Sequence, residues 1–295
     1  MRVIIAGGTG FLGRALTRSL EHDGHQVTLL TRTPRQRNHL AWAPDTSIFA
    51  NAITESDVIV NLAGESIAGG RWSESRKSAI RGSRVSATRA LAEAVRAVRG
   101  SPPLFMSGSA VGYYGVRDDA PVTEESSPGM DFLASVCREW EGEALVAAAR
   151  TRVVLLRSGL VLDRTGGALP QMARPFWFMA GGPLGSGQQA MSWVHLDDWL
   201  GMVRWAMDTA AVVGPLNVTA PAPVTNAEMA AALGRVLNRP AVLPAPAPAL
   251  RLLLGEMADA LLLGGQRVLP AKAVSLGYQF RYPTLEPALR AVYNK

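Results

Sequence analysis

Cysteine is almost absent: Cys137 is the only one in 295 residues. A single thiol excludes an internal disulfide and a cysteine metal cluster. The four histidines stand at no metal-ligand spacing from cysteines or carboxylates, so no metal is expected. Lysine is nearly as scarce, present only as Lys77, Lys272 and Lys295. The net charge of +6 is therefore carried by arginines, and these are scattered. No basic run of about five residues occurs, which argues against nucleic acid and leaves a polyanionic small ligand as the partner suited to the basic balance. Long apolar runs are missing too. The stretch 250–263 is interrupted by Arg251, Glu256 and Asp259 and is too short to cross a bilayer. The chain opens directly on the strand-forming Arg2-Val3-Ile4-Ile5, with no signal peptide in view. A cytoplasmic protein without a membrane partner is expected. An apolar content of 48% gives ample core for one large domain or two modest ones.

Glycine, by contrast, is placed with purpose. In Ile4-Ile5-Ala6-Gly7-Gly8-Thr9-Gly10-Phe11-Leu12-Gly13 a β-branched run leads into three glycines spaced by three, and an amphipathic segment leaves them. Gly7 permits a tight turn out of the strand. Gly10 removes a Cβ that would block a pyrophosphate, and Gly13 lets helix and strand pack closely. The helix starting near Phe11 offers free backbone N–H groups and the positive end of its dipole to phosphates. About twenty residues on, the position of a ribose-binding carboxylate in NAD sites holds Thr31 and Arg32, with Arg35 nearby. A carboxylate would repel a 2′-phosphate, whereas guanidinium and hydroxyl groups would hold one. NADP(H) is therefore expected over NAD(H).

Further along, a weak third strand is expected around Trp42 and Ile48-Phe49, and a clear fourth over 57–64 that ends in small residues. A long helix is expected over 75–98 and carries Ser83 and Arg84. A fifth strand over 104–107 delivers Ser107-Gly108-Ser109-Ala110-Val111-Gly112-Tyr113-Tyr114-Gly115, a cluster of hydroxyls where proton chemistry is commonly placed. A polar loop over 118–129, a helix over 132–149 and a sixth strand over 152–156 that continues to 162 follow. Later come glycine-rich loops at 166–167 and 181–187, a helix capped by Asp197, and a capping box in Thr225-Asn226-Ala227-Glu228. A proline-rich connector runs over 240–248 and one or two helices follow it, with a last helix near 285–292.

The glycine spacing, Asn61-Leu62-Ala63-Gly64, the Ser107 to Gly115 segment and Trp193-Val194-His195-Leu196-Asp197-Asp198 resemble the extended short-chain dehydrogenases/reductases, which include nucleotide-sugar epimerases. Asn61-Leu62-Ala63-Gly64-Glu65, Ser83-Arg84-Val85, Arg157-Ser158-Gly159, Gly181-Gly182-Pro183-Leu184-Gly185-Ser186-Gly187 and Thr225-Asn226-Ala227-Glu228 are similar to the atypical epimerase family subgroup. The C-terminal stretch resembles the small domain of unknown function that ends those proteins. The resemblance implies an α/β fold: a Rossmann-type doubly wound parallel sheet with a smaller C-terminal α+β substrate domain. The expected division is 1–240, with 163–195 contributing to the substrate lobe, and 241–295. It also implies NADP(H) and a small polar substrate, a nucleotide sugar among the candidates, in a monomer or homodimer. By the same resemblance Gly7, Thr9, Gly10, Phe11, Leu12 and Gly13 would hold the pyrophosphate. Thr31 and Arg32 would hold the 2′-phosphate. Leu62, Ala63, Gly64 and Glu65 would line the track to the nicotinamide, Arg84 would contact phosphate or ribose, and Ser107 and Val161 would line the nicotinamide end.

One departure matters. Members of demonstrated activity carry Tyr-x-x-x-Lys after the fifth strand, the Lys tuning the Tyr that moves the substrate proton. Four residues before the three lysines stand Ser73, Val268 and Ala291, so the motif is absent. The corresponding helix reads Phe132-Leu133-Ala134-Ser135-Val136-Cys137, and Tyr113-x-x-x-Arg117 lies before that helix. Four residues remain as candidates for proton chemistry: Ser109, Tyr113, Tyr114 and Glu65. For each a structural role competes, in turn formation, packing or capping. His195 is expected to serve the following helix, and Cys137 to be packing rather than a nucleophile. Two functions stay open: an NADP(H)-dependent oxidoreductase or epimerase-like enzyme, and a non-catalytic NADP(H)-binding sensor or interaction protein.

Overall fold

The computed structural model describes residues 1–117 and 119–293. Asp118, at the start of the expected polar loop, and Lys295, one of the three lysines, lie outside the described residues. The strands are β1 (Arg2–Ala6), β2 (Gln26–Thr31), β3 (His39–Ala41), β4 (Val58–Asn61), β5 (Leu104–Ala110), β6 (Pro121–Val122), β7 (Val153–Ser158), β8 (Leu160–Leu162), β9 (Ala190–Met191), β10 (Trp193–His195), β11 (Gly214–Val218), β12 (Val224–Thr225) and β13 (Arg267–Val268). The helices are α1 (Phe11–His22), α2 (Ser47–Glu55), α3 (Glu74–Ala97), α4 (Phe132–Leu145), α5 (Leu169–Trp177), α6 (Leu196–Asp208), α7 (Asn226–Leu237), α8 (Ala247–Leu254), the single turn α9 (Glu256–Ala258), α10 (Ala271–Ser275) and α11 (Leu285–Tyr293).

Seven strands form one sheet in the order β11-β7-β5-β4-β1-β2-β3, and every pairing is parallel. Parallel strands need crossover connections, and the helices that make them cover both faces. That is why β4 is buried throughout. Side chains alternate between the faces. Val3, Ile5, Val58 and Val60 join Leu16 and Leu20 of α1 and Trp199 and Met202 of α6. Ile4, Ile59 and Phe105 join Phe49 of α2, Leu91 and Val95 of α3 and Ala144 of α4. The chain winds outward in opposite directions from β1 and β4, which makes their carboxyl ends the topological switch point, where open α/β sheets bind ligands.

Three local expectations change. Ile48 and Phe49 lie on α2, not on a strand: the Thr46 side chain accepts the Phe49 N–H at 3.3 Å, and Phe49 and Ile53, one turn apart, both face the core. The third strand is His39–Ala41 instead. The sixth strand divides at Gly159. A Cβ there would stand 2.6 Å from the Ser192 carbonyl, so the chain leaves the main sheet and β8 pairs with β10. Helix α6 is capped by His195, whose Nδ1 accepts the Asp197 N–H at 3.0 Å; Asp197 sits within the first turn.

A second lobe collects Leu162, Trp193, Met229 and Leu233 with Leu285 and Leu289 of α11. The C-terminal segment is tied back into the sheet domain. β13 pairs with β6 inside the expected polar loop, and Ala273, Tyr278 and Phe280 pack into the core that holds α1 and α6.

Candidate functional site

The glycine turn takes the form its spacing predicts. Gly7 has φ +78°, and a Cβ on it would stand 2.5 Å from the Leu62 carbonyl. A Cβ on Gly13 would stand 2.3 Å from the Gly7 carbonyl. Gly10 is the N-cap of α1 and supplies no side chain to the free amides of the first turn. A Cβ on Gly10 would have one neighbour, the Gly7 carbonyl at 3.2 Å. The two outer glycines thus hold the turn against β4 and α1, and the middle one leaves open space over a helix N-terminus. That is what an approaching phosphate group requires. Thr9 is exposed, and its carbonyl accepts from Arg14 at 2.5 Å. Leu12 is half-buried against the core, and the Phe11 ring lies against Gly166 and Gly167 of the first glycine-rich loop.

At the end of β2, Thr31 is half-buried and its hydroxyl accepts the Thr33 N–H at 3.3 Å, while Arg32 is exposed. Beyond β4, Asn61 binds Thr88 at 2.7 Å and accepts the Ala63 N–H, which fixes the course of Leu62-Ala63-Gly64. The Glu65 amide is held by Ser83 and its carboxylate pairs with Arg76 at 3.7 Å. The Arg84 side chain lies over Gly64, bonded to the Ile80 carbonyl and above the Trp140 ring. Burial lowers its pKa from the ordinary guanidinium value.

Strand β5 carries the hydroxyls to the same edge. Ser107 is fully buried and its hydroxyl donates to the Gly108 carbonyl at 3.2 Å. Ser109 donates to Glu141 of α4 at 2.6 Å. Two hydrogen bonds from Arg157, at the end of β7, clamp Glu141 at 2.8 and 2.7 Å. Arg157 donates in turn to the Tyr114 hydroxyl at 3.0 Å, and Tyr114 donates to Asn217 at 2.6 Å. The Asn217 N–H reaches Glu124 at 3.0 Å. Burial would lower the Arg157 pKa, but the hydrogen bonds and charge of Glu141 outweigh it and hold the guanidinium above its ordinary range. Burial pushes the Tyr114 phenol up to about 12. Tyr113 differs from its neighbour. It is half-exposed, its ring stacks on the Arg157 guanidinium at 3.5 Å, and among the described residues its hydroxyl has no hydrogen-bond partner. Val161 is buried on β8.

The structure thus brings Ser109, Tyr113 and Tyr114 around one guanidinium and leaves Glu65 apart, paired with Arg76. Arg117 is folded into its own loop, donating to the Tyr114 and Ser127 carbonyls. On α4, Leu133 is half-buried, and burial pushes the Cys137 thiol up to about 12. Sequence reasoning missed Glu141, Glu124 and Asn217, which stand far apart in the chain and meet only through the sheet. The signal that was there is Arg157-Ser158-Gly159, a charged residue at the end of an apolar strand run.

A cleft of about 300 Å³ opens between the segments that follow β4 and β5 and the C-terminal segment. Trp72, Val116, Phe132 and Leu133 line one side, and Arg251, Asp259 and Leu263 of the C-terminal segment are on the other. The loop 181–187 is pinned to the proline-rich connector: Leu243 donates to the Gly181 carbonyl, Ala245 to that of Pro183, and Gly185 to that of Ala245.

Comparison with known proteins matches this arrangement. The model of the NAD dependent epimerase/dehydratase family matches residues 3–218, and that of a domain of unknown function (DUF1731) matches 245–292. The chain is 42% identical over 302 residues to the Arabidopsis thaliana epimerase family protein SDR39U1 homolog, chloroplastic, covering 99% of this chain and 86% of that protein. It is 43% identical to an epimerase family protein of Mycobacterium leprae, covering 97% and 94%. The crystal structure of human epimerase family protein SDR39U1 (isoform 2) with NADPH superimposes with a TM-score of 0.91 at 37% identity, covering 100% and 99%. With its seven-stranded parallel sheet, its glycine turn and its C-terminal segment, the chain belongs to the NAD dependent epimerase/dehydratase family, among the atypical extended short-chain dehydrogenases/reductases.

Proposed function

We propose that the chain binds NADP(H) along the carboxyl edge of β1, β4 and β5. There it performs oxidoreductase or epimerase-type chemistry on a hydroxyl or carbonyl of a small substrate, with Ser109 and Tyr113 serving in place of a Tyr/Lys pair. The observation that carries the cofactor reading is the open space over Gly10 at the unshielded N-terminus of α1. The α1 amides and the backbone of Gly7, Thr9 and Gly10 hold the pyrophosphate, flanked by Phe11, Leu12 and Gly13. Thr31 and Arg32 take the 2′-phosphate. Leu62, Ala63 and Gly64 supply backbone along the track, Arg84 faces phosphate or ribose, and Ser107 and Val161 border the nicotinamide end. NADPH in the human relative supports this assignment. The bound cofactor supplies the hydride donor or acceptor.

The chain's own groups handle the proton. Arg157 clamps the Glu141 carboxylate with two hydrogen bonds, and Glu141 accepts the Ser109 hydroxyl hydrogen bond at 2.6 Å. The Ser109 lone pairs are thereby left to accept from a substrate hydroxyl. In the reducing direction the Tyr113 hydroxyl, without a partner of its own among the described residues, gives its proton to the substrate oxygen and regains one from solvent, and the product hydroxyl then donates to Ser109. Tyr114 is structural, its hydroxyl committed to Arg157 and Asn217, and Glu65 orders the segment after β4 through Arg76. Residues 1–240 form the cofactor domain, with 163–195 contributing to the substrate lobe, and 241–295 form the smaller substrate domain. A cytoplasmic setting accords with the single thiol.

A second reading, a non-catalytic NADP(H)-binding sensor, draws support from the lack of Tyr-x-x-x-Lys in the sequence and from Phe132-Leu133-Ala134-Ser135-Val136-Cys137 at the start of α4. Calorimetry tests the cofactor. NADPH is expected to bind at least ~10-fold more tightly than NADH, and Arg32→Ala to abolish that preference. Equal affinities would sink the 2′-phosphate assignment. Transfer of label from C4-deuterated NADPH to any metabolite in a cell extract would eliminate the sensor. Transfer unchanged in Tyr113→Phe would remove Tyr113 from the chemistry.

A further inference from the structure

Resting on the proposed function, we infer the substrate class from the cleft: a neutral compound with an apolar or aromatic body bearing a carbonyl or hydroxyl, not a nucleoside diphosphate sugar. The walls are Trp72, Val116, Phe132, Leu133, Ala260 and Leu263, with Trp72 and Phe132 meeting edge to face at 5.2 Å. The floor adjoins the turn that presents Tyr113: the Leu133 Cβ lies 3.4 Å from where a Cβ on Gly112 would stand.

The charges on the rim decide the class. Three carboxylates line the cleft, Asp131, Glu256 and Asp259, against one cation, Arg251. Arg251 is already paired with Asp259 at 2.9 Å. Asp131 spends one oxygen on the Ala134 N–H and the other on the Val116 N–H. Glu256 pairs closely with Lys77, and the neighbouring Arg81 pairs with Glu139 at 3.2 Å. Arg71 stands outside the lining, exposed over Gly255. A diphosphate requires several converging donors or cations, and in this cleft it would face three carboxylates instead. The volume of about 300 Å³ lies at the small end of ligand pockets and suits a compact body rather than a nucleotide and sugar laid end to end.

The test uses 4-phenyl-2-butanone as the neutral probe and UDP-glucose as the nucleotide sugar, titrated into the full chain by calorimetry with and without saturating NADPH. The ketone is expected to bind at least ~10-fold more tightly than UDP-glucose in both states. Leu133→Asp and Leu263→Asp, each checked for a native melting transition, are expected to weaken the ketone ~10-fold or more and leave NADPH affinity within about twofold. UDP-glucose binding as tightly as the ketone, no ketone binding, or ketone binding indifferent to both folded variants would each overturn the inference. Because the ligand preference is also measured without NADPH, failure of the cofactor reading and failure of the cleft reading give different results.

Discussion

At the scale of the residue, the group that organises the edge of the sheet is Arg157, only 3% exposed, with Glu141, Tyr114 and Tyr113 around it. A buried charge of this kind is tolerable only when paired and hydrogen-bonded, and here both conditions hold. The cluster makes stability depend on pH in a defined direction. The Tyr114 phenol is raised to about 12 by burial, above its ordinary value of 10.0. The folded state therefore retains a proton that the unfolded chain releases first. Stability from this residue is complete below about pH 10 and is lost as pH rises toward 12. Tyr114→Phe is expected to cost ~1–3 kcal/mol at pH 7, because it strips a buried hydroxyl from Arg157 and Asn217. It should also flatten the decline of stability between pH 10 and 12. Urea titrations across that range check both, and a variant with the wild-type slope would show that another group titrates. From sequence, Tyr113 and Tyr114 were equivalent candidates. Only the fold distinguishes a committed hydroxyl from one with no hydrogen-bond partner among the described residues.

At the scale of the element, the glycine turn was legible because its constraint is local. Gly7 and Gly13 have no room for a Cβ beside the backbone, Gly10 leaves space over the N-terminus of α1, and the spacing records all three. Those reasons separate two variants that look alike on paper. Gly10→Ala meets only the Gly7 carbonyl at 3.2 Å, with φ an ordinary −75°, so the protein should fold with near-native stability and lose NADPH affinity ~10-fold or more. Gly13→Ala would press into backbone at 2.3 and 2.6 Å and should destabilise the fold itself. Denaturation and calorimetry on both variants check this; Gly10→Ala with wild-type NADPH affinity would remove the phosphate seat from α1. The capping box of α7 was also readable, and both of its hydrogen bonds form. In the second helix Ile48 and Phe49 are β-formers and point to strand, whereas the Thr46 cap and the Phe49/Ile53 spacing decide for helix. The break at Gly159 left only a glycine as its mark, since its cause is the Ser192 carbonyl across the lobe boundary.

At the scale of the whole molecule, the C-terminal segment supplies interior surface to both lobes. Ala273, Tyr278 and Phe280 enter the sheet core, and Leu285, Ala288, Leu289 and Val292 complete the second. The proline-rich connector is held by the loop 181–187, and β13 pairs with β6. A chain ending at residue 240 is therefore expected to lose its cooperative melting transition rather than survive as a cofactor domain, because the apolar sites filled by Leu285, Leu289 and Val292 in the second core would open to water. Circular dichroism melts of the truncated and full chains check this. A sharp transition in the shorter chain would show that the sheet domain is self-sufficient.

By itself the sequence determined the parallel α/β architecture, the glycine turn at the N-terminus of α1 and the absence of a carboxylate from the end of β2. Each depends on residues close together in the chain, through hydrophobic period, glycine geometry and the charge at a strand end. The tertiary structure alone decided the rest. Ser109, Glu141, Arg157, Tyr114 and Asn217 span more than a hundred residues of chain and meet because β5, β7 and β11 lie side by side in the sheet. The cleft has its character for the same reason: its lining comes from Trp72, from Asp131-Phe132-Leu133 and from 251–264, segments far apart in the chain, and no local pattern records what will face them.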